Sequence, residues 1–236
     1  MSTNNPLSDI DNDVFNASSS TLNYIKLSVS TNITKIPDLT YLTHLQYLHL
    51  ERNNIVNSLS DLLPSTLIDL DLDSNKLTYI PRGVDQLPQL HVLMVSSNNI
   101  TSTDSVVFPS SLKYLYADHN QIKTLTTFTF TTNTSELATL SLNFNPIKHI
   151  ANDTFVSLTS LARLQLHDTL LTRLPLALTS LTRLHTLDLR NLPHLTCTCV
   201  ESHVADWYNN ITSLTVYGTC NSVKVTYFLT HLAPSC

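Results

Sequence analysis

Leu67-Ile68-Asp69-Leu70-Asp71-Leu72-Asp73-Ser74-Asn75-Lys76-Leu77 is the stretch that decides the fold. Leucines hold its first, fourth, sixth and eleventh places, and an asparagine holds the ninth. The same beat returns as Leu45, Leu48, Leu50, Asn53 and Ile55, then as Leu90, Leu93, Val95, Asn98 and Ile100. It continues as Leu112, Leu115, Ala117, Asn120 and Ile122, and as Leu137, Leu140, Leu142, Asn145 and Ile147. Repeat starts at Leu22, Leu45, Leu67, Leu90, Leu112, Leu137, Leu161 and Leu184 lie 22–25 residues apart. A period in this range marks a stacked-repeat architecture.

The chemistry of one unit explains the stacking. Side chains alternate along a strand, so the two leucines of Leu-x-Leu point to one side. A single coil cannot bury that edge, and neighbouring coils must cover it. The result expected is a parallel sheet with strands about 4.8 Å apart, leucines inside and the intervening residues open to solvent on the inner curve. Asn53, Asn75, Asn98, Asn120 and Asn145 fall where the chain turns inward, and a buried amide there can satisfy backbone groups of two adjacent turns. Thr31, Thr169 and Leu192 break this slot towards the ends. Return segments carry Pro64, Pro81, Pro88, Pro109 and Pro175 among many threonines, which predicts irregular or 3₁₀ structure rather than long helices. Phe108, Phe128 or Phe130, and Phe155 are expected to stack as core in those returns.

The ends differ from the middle. Residues 1–21 read as a partial repeat or capping segment, with Ile10 and Phe15 preceding the irregular first repeat of Leu22, Ile25 and Leu27. Residues 22–192 hold about eight repeats, and 193–236 form a separate closing segment. All four cysteines, Cys197, Cys199, Cys220 and Cys236, lie in that segment. Crowding at one end reads as a local disulfide framework and an oxidising compartment, with three connectivities open. Zinc fits poorly, because Cys197 and Cys199 are one residue apart where structural zinc sites use two to four.

These residues resemble the extracellular leucine-rich repeat family, whose pattern is LxxLxLxxNxL, over about residues 10–236. The resemblance extends to a cysteine-rich C-terminal cap: Cys197-Thr198-Cys199, Trp207, Cys220, Leu229, Leu232 and Cys236. It implies the pairings Cys197–Cys220 and Cys199–Cys236, a short helix near Ser202–Tyr208, and Trp207 packed on the last repeat. Leu192-Pro193 and His203 depart from the family's Asn-Pro and first tryptophan. The fold expected is a mostly β, α/β-type solenoid: a curved horseshoe with a parallel inner sheet and a disulfide-bonded cap. The function implied is non-catalytic recognition of a protein or peptide, sometimes of glycans, as a receptor ectodomain or a fragment of one. A freestanding secreted binding or defence protein, or a self-associating adhesion module forming homodimers, is the alternative.

Composition agrees with an extracellular setting. Only 13% of residues are charged and the net charge is −5, which leaves no basic footprint for nucleic acid. Six acceptor sequons begin at Asn16, Asn32, Asn99, Asn133, Asn152 and Asn210. No apolar run reaches the roughly 18–20 residues of a membrane span. The start is polar and acidic, without the apolar segment of a signal peptide, so the chain is expected to be a trimmed piece of a longer one.

Catalytic signals in the sequence are weak, and catalysis is not expected. Two glycines give no phosphate-cradling loop, and His49, His91, His119, His167 and His185 are scattered, reading as exposed polar residues rather than ligands. No cofactor and no metal are expected. Calcium on Asp69, Asp71 and Asp73 is disfavoured, because same-face residues sit about 6.5–7 Å apart. The candidate site is therefore the inner sheet: Tyr47, His49, Glu51, Asp69, Asp71, Asp73, Val92, Met94, Tyr114, Tyr116, Asp118 and His119. Tyrosines beside carboxylates suit a partner with basic and apolar groups.

Overall fold

The computed structural model describes residues 10, 14–28, 33–57, 62–104, 106–130 and 134–235. Every repeat start is followed by one short strand. These are β1 (Tyr24–Lys26), β2 (Tyr47–His49), β3 (Asp69–Asp71), β4 (Val92–Met94) and β5 (Tyr114–Tyr116). After β6 (Thr124–Leu125) come β7 (Thr139–Ser141), β8 (His149–Ile150), β9 (Arg163–Gln165) and β10 (Thr186–Leu189). The eight repeat strands stack in parallel and in register, for example Leu48↔Leu70↔Leu93↔Leu115. The chain is thus a mostly β parallel solenoid.

The frame leucines are fully buried: Leu67, Leu70, Leu72 and Leu77 of one coil have no exposed surface, and neither do Leu90, Leu93 and Val95 of the next. Full burial of such a side chain contributes about 1.5–3 kcal/mol, so a coil holds together only through its neighbours. The asparagine slot supplies the polar half of that contact. Asn98 Nδ2 donates to Leu72 O at 3.0 Å in the preceding coil and to Val95 O at 3.1 Å in its own. Its Oδ1 accepts the Leu77 N–H at 2.9 Å. Asn75, Asn120 and Asn145 repeat this arrangement. Thr169 does not: its hydroxyl donates to Leu166 O of its own coil.

The residue before the asparagine slot turns left-handed in coil after coil: Arg52, Ser74, Ser97, His119, Phe144, Asp168 and Asn191 all have φ between 52° and 58°. Non-glycine residues tolerate this conformation at a cost, and here the ladder of backbone bonds on either side enforces it. Ser97 N donates to Asp118 O and Asn99 N to Leu77 O, both at 2.8 Å.

Returns are short 3₁₀ turns, at Arg82–Gln86 and Leu176–Ser180, together with a two-stranded parallel pair, β6–β8. That second pair has no counterpart in the sequence pattern, since two residues per coil leave no periodic trace. Phe130 takes the middle of the aromatic column, 5.9 Å from Phe108 and 6.3 Å from Phe155 between ring centres. Phe128 points to solvent.

The closing segment continues the sheet instead of sitting beside it. β11 (Thr215–Cys220) pairs parallel with β10, and β12 (Val223–Lys224) turns back antiparallel. The sheet therefore crosses the division at 192/193 without interruption. Helix α1 (Ser202–Asn210) covers the open core end, and Trp207 Nε1 donates to Leu181 O at 3.2 Å. Cys197 is bonded to Cys220 across a Cα separation of 5.6 Å. Cys199 is also disulfide-bonded, while Cys236 lies outside the described residues.

Candidate functional site

Register turns the repeat into rows on the concave face. One row runs Tyr24, Tyr47, Asp69, Val92, Tyr114, Thr139, Arg163, Thr186. The next runs Lys26, His49, Asp71, Met94, Tyr116, Ser141, Gln165, Asp188. Alternation puts the leucine between each pair into the core, so the sequence-expected site residues Tyr47, Asp69, Asp71, Val92, Met94, Tyr114 and Tyr116 share one surface. Tyr24, Tyr47 and Tyr114 are exposed, and Val92, Met94 and Tyr116 are half-buried between them.

A third row, just beyond the strands, has a second duty. Asp73 Oδ1 accepts the Ser96 N–H at 2.6 Å, and Ser96 Oγ accepts that of Asp118 at 3.2 Å. Asp118 Oδ1 accepts from Asn143 N at 2.7 Å and Ser141 Oγ at 2.6 Å, and Asn143 Oδ1 accepts from His167 N at 3.0 Å. Each side chain thereby closes a backbone donor of the following coil. Asp73 and Asp118 belong to the frame as well as to the surface, and Ser141, Asn143 and Asp188 are buried although alternation alone assigns them to solvent. The pattern shows the direction of a side chain but not the neighbour that covers it.

The charge of the patch is also modified by its setting. Burial pushes the carboxyls of Asp69 and Asp71 up from the usual range. Burial, with Asp71 beside it, raises Asp73 to about 7. Glu51 moves the other way: its burial is outweighed by the Lys26 ammonium at 2.6 Å. Lys26 and Tyr24 were readable as members of the same rows, yet only the register brings them against Glu51 and His49. The Tyr24 hydroxyl lies 3.4 Å from His49 Nδ1, and His49 Nε2 lies 3.5 Å from Asp69 Oδ1. His49, Glu51 and Asp71 each offer a ligand atom, and these atoms lie within 4.8 Å of one another. The expectation of scattered histidines misses this convergence, because the three come from two different coils.

His119 sits apart from the acids. Its ring stacks on Phe144 at 4.1 Å between centres, and Phe144 meets His167 edge-on at 4.9 Å. Phe144 is exposed while held at φ 54°. Beyond it, Arg190 grips Asp188 through both carboxylate oxygens and lies over the Tyr217 ring. Of the sequons, Asn16, Asn99, Asn152 and Asn210 are exposed and none falls in a concave strand. Asn32 and Asn133 lie outside the described residues. No helix among the described residues is long and apolar enough to cross a membrane.

Comparison with known proteins matches the repeat frame. The family model for Leucine rich repeat matches residues 135–191. The chain is 34% identical over 83 residues to human Toll-like receptor 6, covering 35% of this chain and 10% of the receptor. It is 33% identical over 85 residues to human Toll-like receptor 1, covering 36% of this chain and 11% of the receptor. The chain thus spans about a tenth of the length of these relatives. Among solved structures, a complex of Latrophilin 3, Unc5D and FLRT2 matches with a TM-score of 0.66 at 24% identity. That match covers 85% of this chain and 71% of the other. The plant peptide hormone receptor RGFR1, solved with RGF2, matches with a TM-score of 0.58 at 20% identity, over 85% of this chain and 32% of that one. At these identities the structural matches speak to the fold.

Proposed function

We propose that this chain, a leucine-rich repeat protein, is a non-catalytic recognition domain that binds a protein or peptide partner on the concave face of its sheet. The observation carrying this reading is the row of exposed Tyr24, Tyr47 and Tyr114 beside Asp69 and Asp71 on a sheet whose strands are locked in register. Tyrosine contributes large contact area with one polar tip and little entropy to lose. Carboxylates set among them favour a partner segment carrying Lys or Arg next to apolar side chains. An extracellular setting, as a receptor ectodomain or part of one, agrees with the Cys197–Cys220 disulfide and with relatives that are Toll-like receptors.

The test is selection of a random displayed peptide library on the immobilised chain. Enrichment of sequences with basic residues beside aromatic or aliphatic ones is expected, and it should vanish on a Tyr47→Ala/Asp69→Asn surface. Equal enrichment on both surfaces, or selection of acidic peptides, would sink the proposal. Light scattering that showed a concentration-dependent dimer sealing this face would favour the adhesion-module alternative.

A further inference from the structure

The N-terminal part of the concave face contains an arrangement that peptide recognition does not account for. Of seven buried side-chain nitrogen and oxygen atoms without a hydrogen-bond partner among the described residues, four cluster there: Ser28 Oγ, His49 Nε2, Glu51 Oε2 and Asp69 Oδ1. Native proteins satisfy nearly all such atoms, and an orphan calls for an unseen water or ion. Two of the four residues, His49 and Glu51, form with Asp71 a group whose ligand atoms lie within 4.8 Å of one another, and Asp69 Oδ1 lies 3.5 Å from His49 Nε2.

The three side chains are also held by partners that use their other atoms. His49 turns Nδ1 to the Tyr24 hydroxyl, and its Nε2 faces Asp69 Oδ1 at 3.5 Å without forming a hydrogen bond. Glu51 gives Oε1 to Lys26 and leaves Oε2. Asp71 accepts the Asp73 N–H through Oδ1. Outer contacts that fix a ligand's orientation while freeing one donor atom are characteristic of metal sites. His49 and Glu51 come from one coil and Asp71 from the next, joined by the β2–β3 register.

We propose that His49, Glu51 and Asp71 form a binding site for a divalent metal ion of the zinc type, with Asp69 at its edge. One imidazole with carboxylates suits a borderline ion such as Zn²⁺, whereas Ca²⁺ takes six to eight oxygens and Mg²⁺ a near-ideal octahedron of them. Three protein ligands leave room for water in the fourth position. Charge points the same way: three carboxylates, Glu51, Asp69 and Asp71, gather around one ammonium, Lys26, and one imidazole, His49. Lys26 competes with the ion for Glu51, so its removal should strengthen binding. The site shares Asp69 and Asp71 with the recognition surface proposed above, but its test requires no partner.

The experiment is calorimetric titration of the chelator-treated full chain with ZnSO₄, and separately with CaCl₂ and MgCl₂, at pH 7.5. One Zn²⁺ per chain is expected, with at least tenfold weaker Ca²⁺ and Mg²⁺ binding and a zinc-dependent rise in melting temperature. His49→Gln and Asp71→Asn should each weaken Zn²⁺ binding at least tenfold, and Lys26→Met should tighten it. Circular dichroism identifies folded variants, and Glu51→Gln, with the same loss of Zn²⁺ binding expected, serves if one of the others does not fold. The ten histidines of the chain supply the rival outcome, an adventitious ion only. Binding that is several-fold in stoichiometry, and unchanged in every folded variant, would overturn the site, as would no zinc binding by the parent chain.

Discussion

Asp73 and Ser96 are joined across two coils: the carboxylate of one accepts the backbone N–H of the other at 2.6 Å, just beyond the acidic strand β3. The aspartate contributes a bond to the frame while burial and Asp71 raise its carboxyl to about 7. Frame and surface therefore oppose each other at this position.

That opposition gives a pH prediction. An unfolded aspartate titrates near ~3.9, so between about pH 4 and 7 the folded chain holds a proton at Asp73 that the unfolded chain has released. Stability contributed by this group falls as pH rises through that window and is lowest above 7. Asp73→Asn keeps an acceptor for Ser96 N without the charge. In chelator-containing buffer its melting temperature should exceed the parent's at pH 8 and match or trail it at pH 4.5. A constant difference at the two pH values would contradict the assignment.

The asparagine ladder predicts position-dependent costs. Asn98→Ala removes bonds to Leu72 O and Val95 O and strands the Leu77 N–H inside the stack. A loss of about 2–3 kcal/mol is expected, since unsatisfied buried groups cost about 1–3 kcal/mol. Thr169→Ala removes one bond within a single coil and should cost about 1 kcal/mol or less. Urea unfolding of the two variants, compared at equal slope, decides between them.

Gly218 predicts where the cap is most sensitive. It sits at φ 129° opposite Leu189 in the β10–β11 pair, and an added Cβ would fall 2.4 Å from Leu189 O. Gly218→Ala must push the cap strand off the last repeat, at a cost on the order of 2 kcal/mol. Hydrogen exchange should show faster amides in β11 than in β3; uniform protection would refute this.

Glu201 predicts acid sensitivity at the same junction. It is 3% exposed, is bound by Arg173, and accepts the Thr198 N–H at 2.8 Å. Burial alone would raise its carboxyl, but these contacts prevail and hold it below the ordinary value. The stability it contributes is present above about pH 4.3 and is lost as pH falls through the lowered folded value. Because Arg173 is partly exposed, Glu201→Gln should lower cap stability by only about 1–2 kcal/mol at pH 7. The deficit against the parent should shrink at pH 3, as measured by exchange in α1.

Much of the frame was legible because it is local and repeated. Leu67, Leu70 and Leu72 declare their buried side by spacing, and Asn75 declares its turn by place. The cap was legible through a short cluster of cysteines around Trp207. The candidate face was legible in direction, so Tyr47, Asp69 and Tyr114 fall where alternation sends them. What escaped was everything set by an adjacent coil: the burial of Asp188, the second bond of Asp118, the Phe130 slot and the β6–β8 pair.

The sequence by itself determined that Leu67–Leu77 is one unit of a stacked solenoid and that Asp69, Asp71 and Asp73 look away from its core. Those properties follow from the backbone's own period and need no partner. Tertiary structure decided what the aspartates are. Register sets Asp71 beside His49 and Glu51, turns Asp73 onto Ser96, and partly shields all three from water. Charge, proton affinity and ligand geometry depend on atoms a few ångströms away, and in a parallel stack those atoms come from residues more than twenty positions distant.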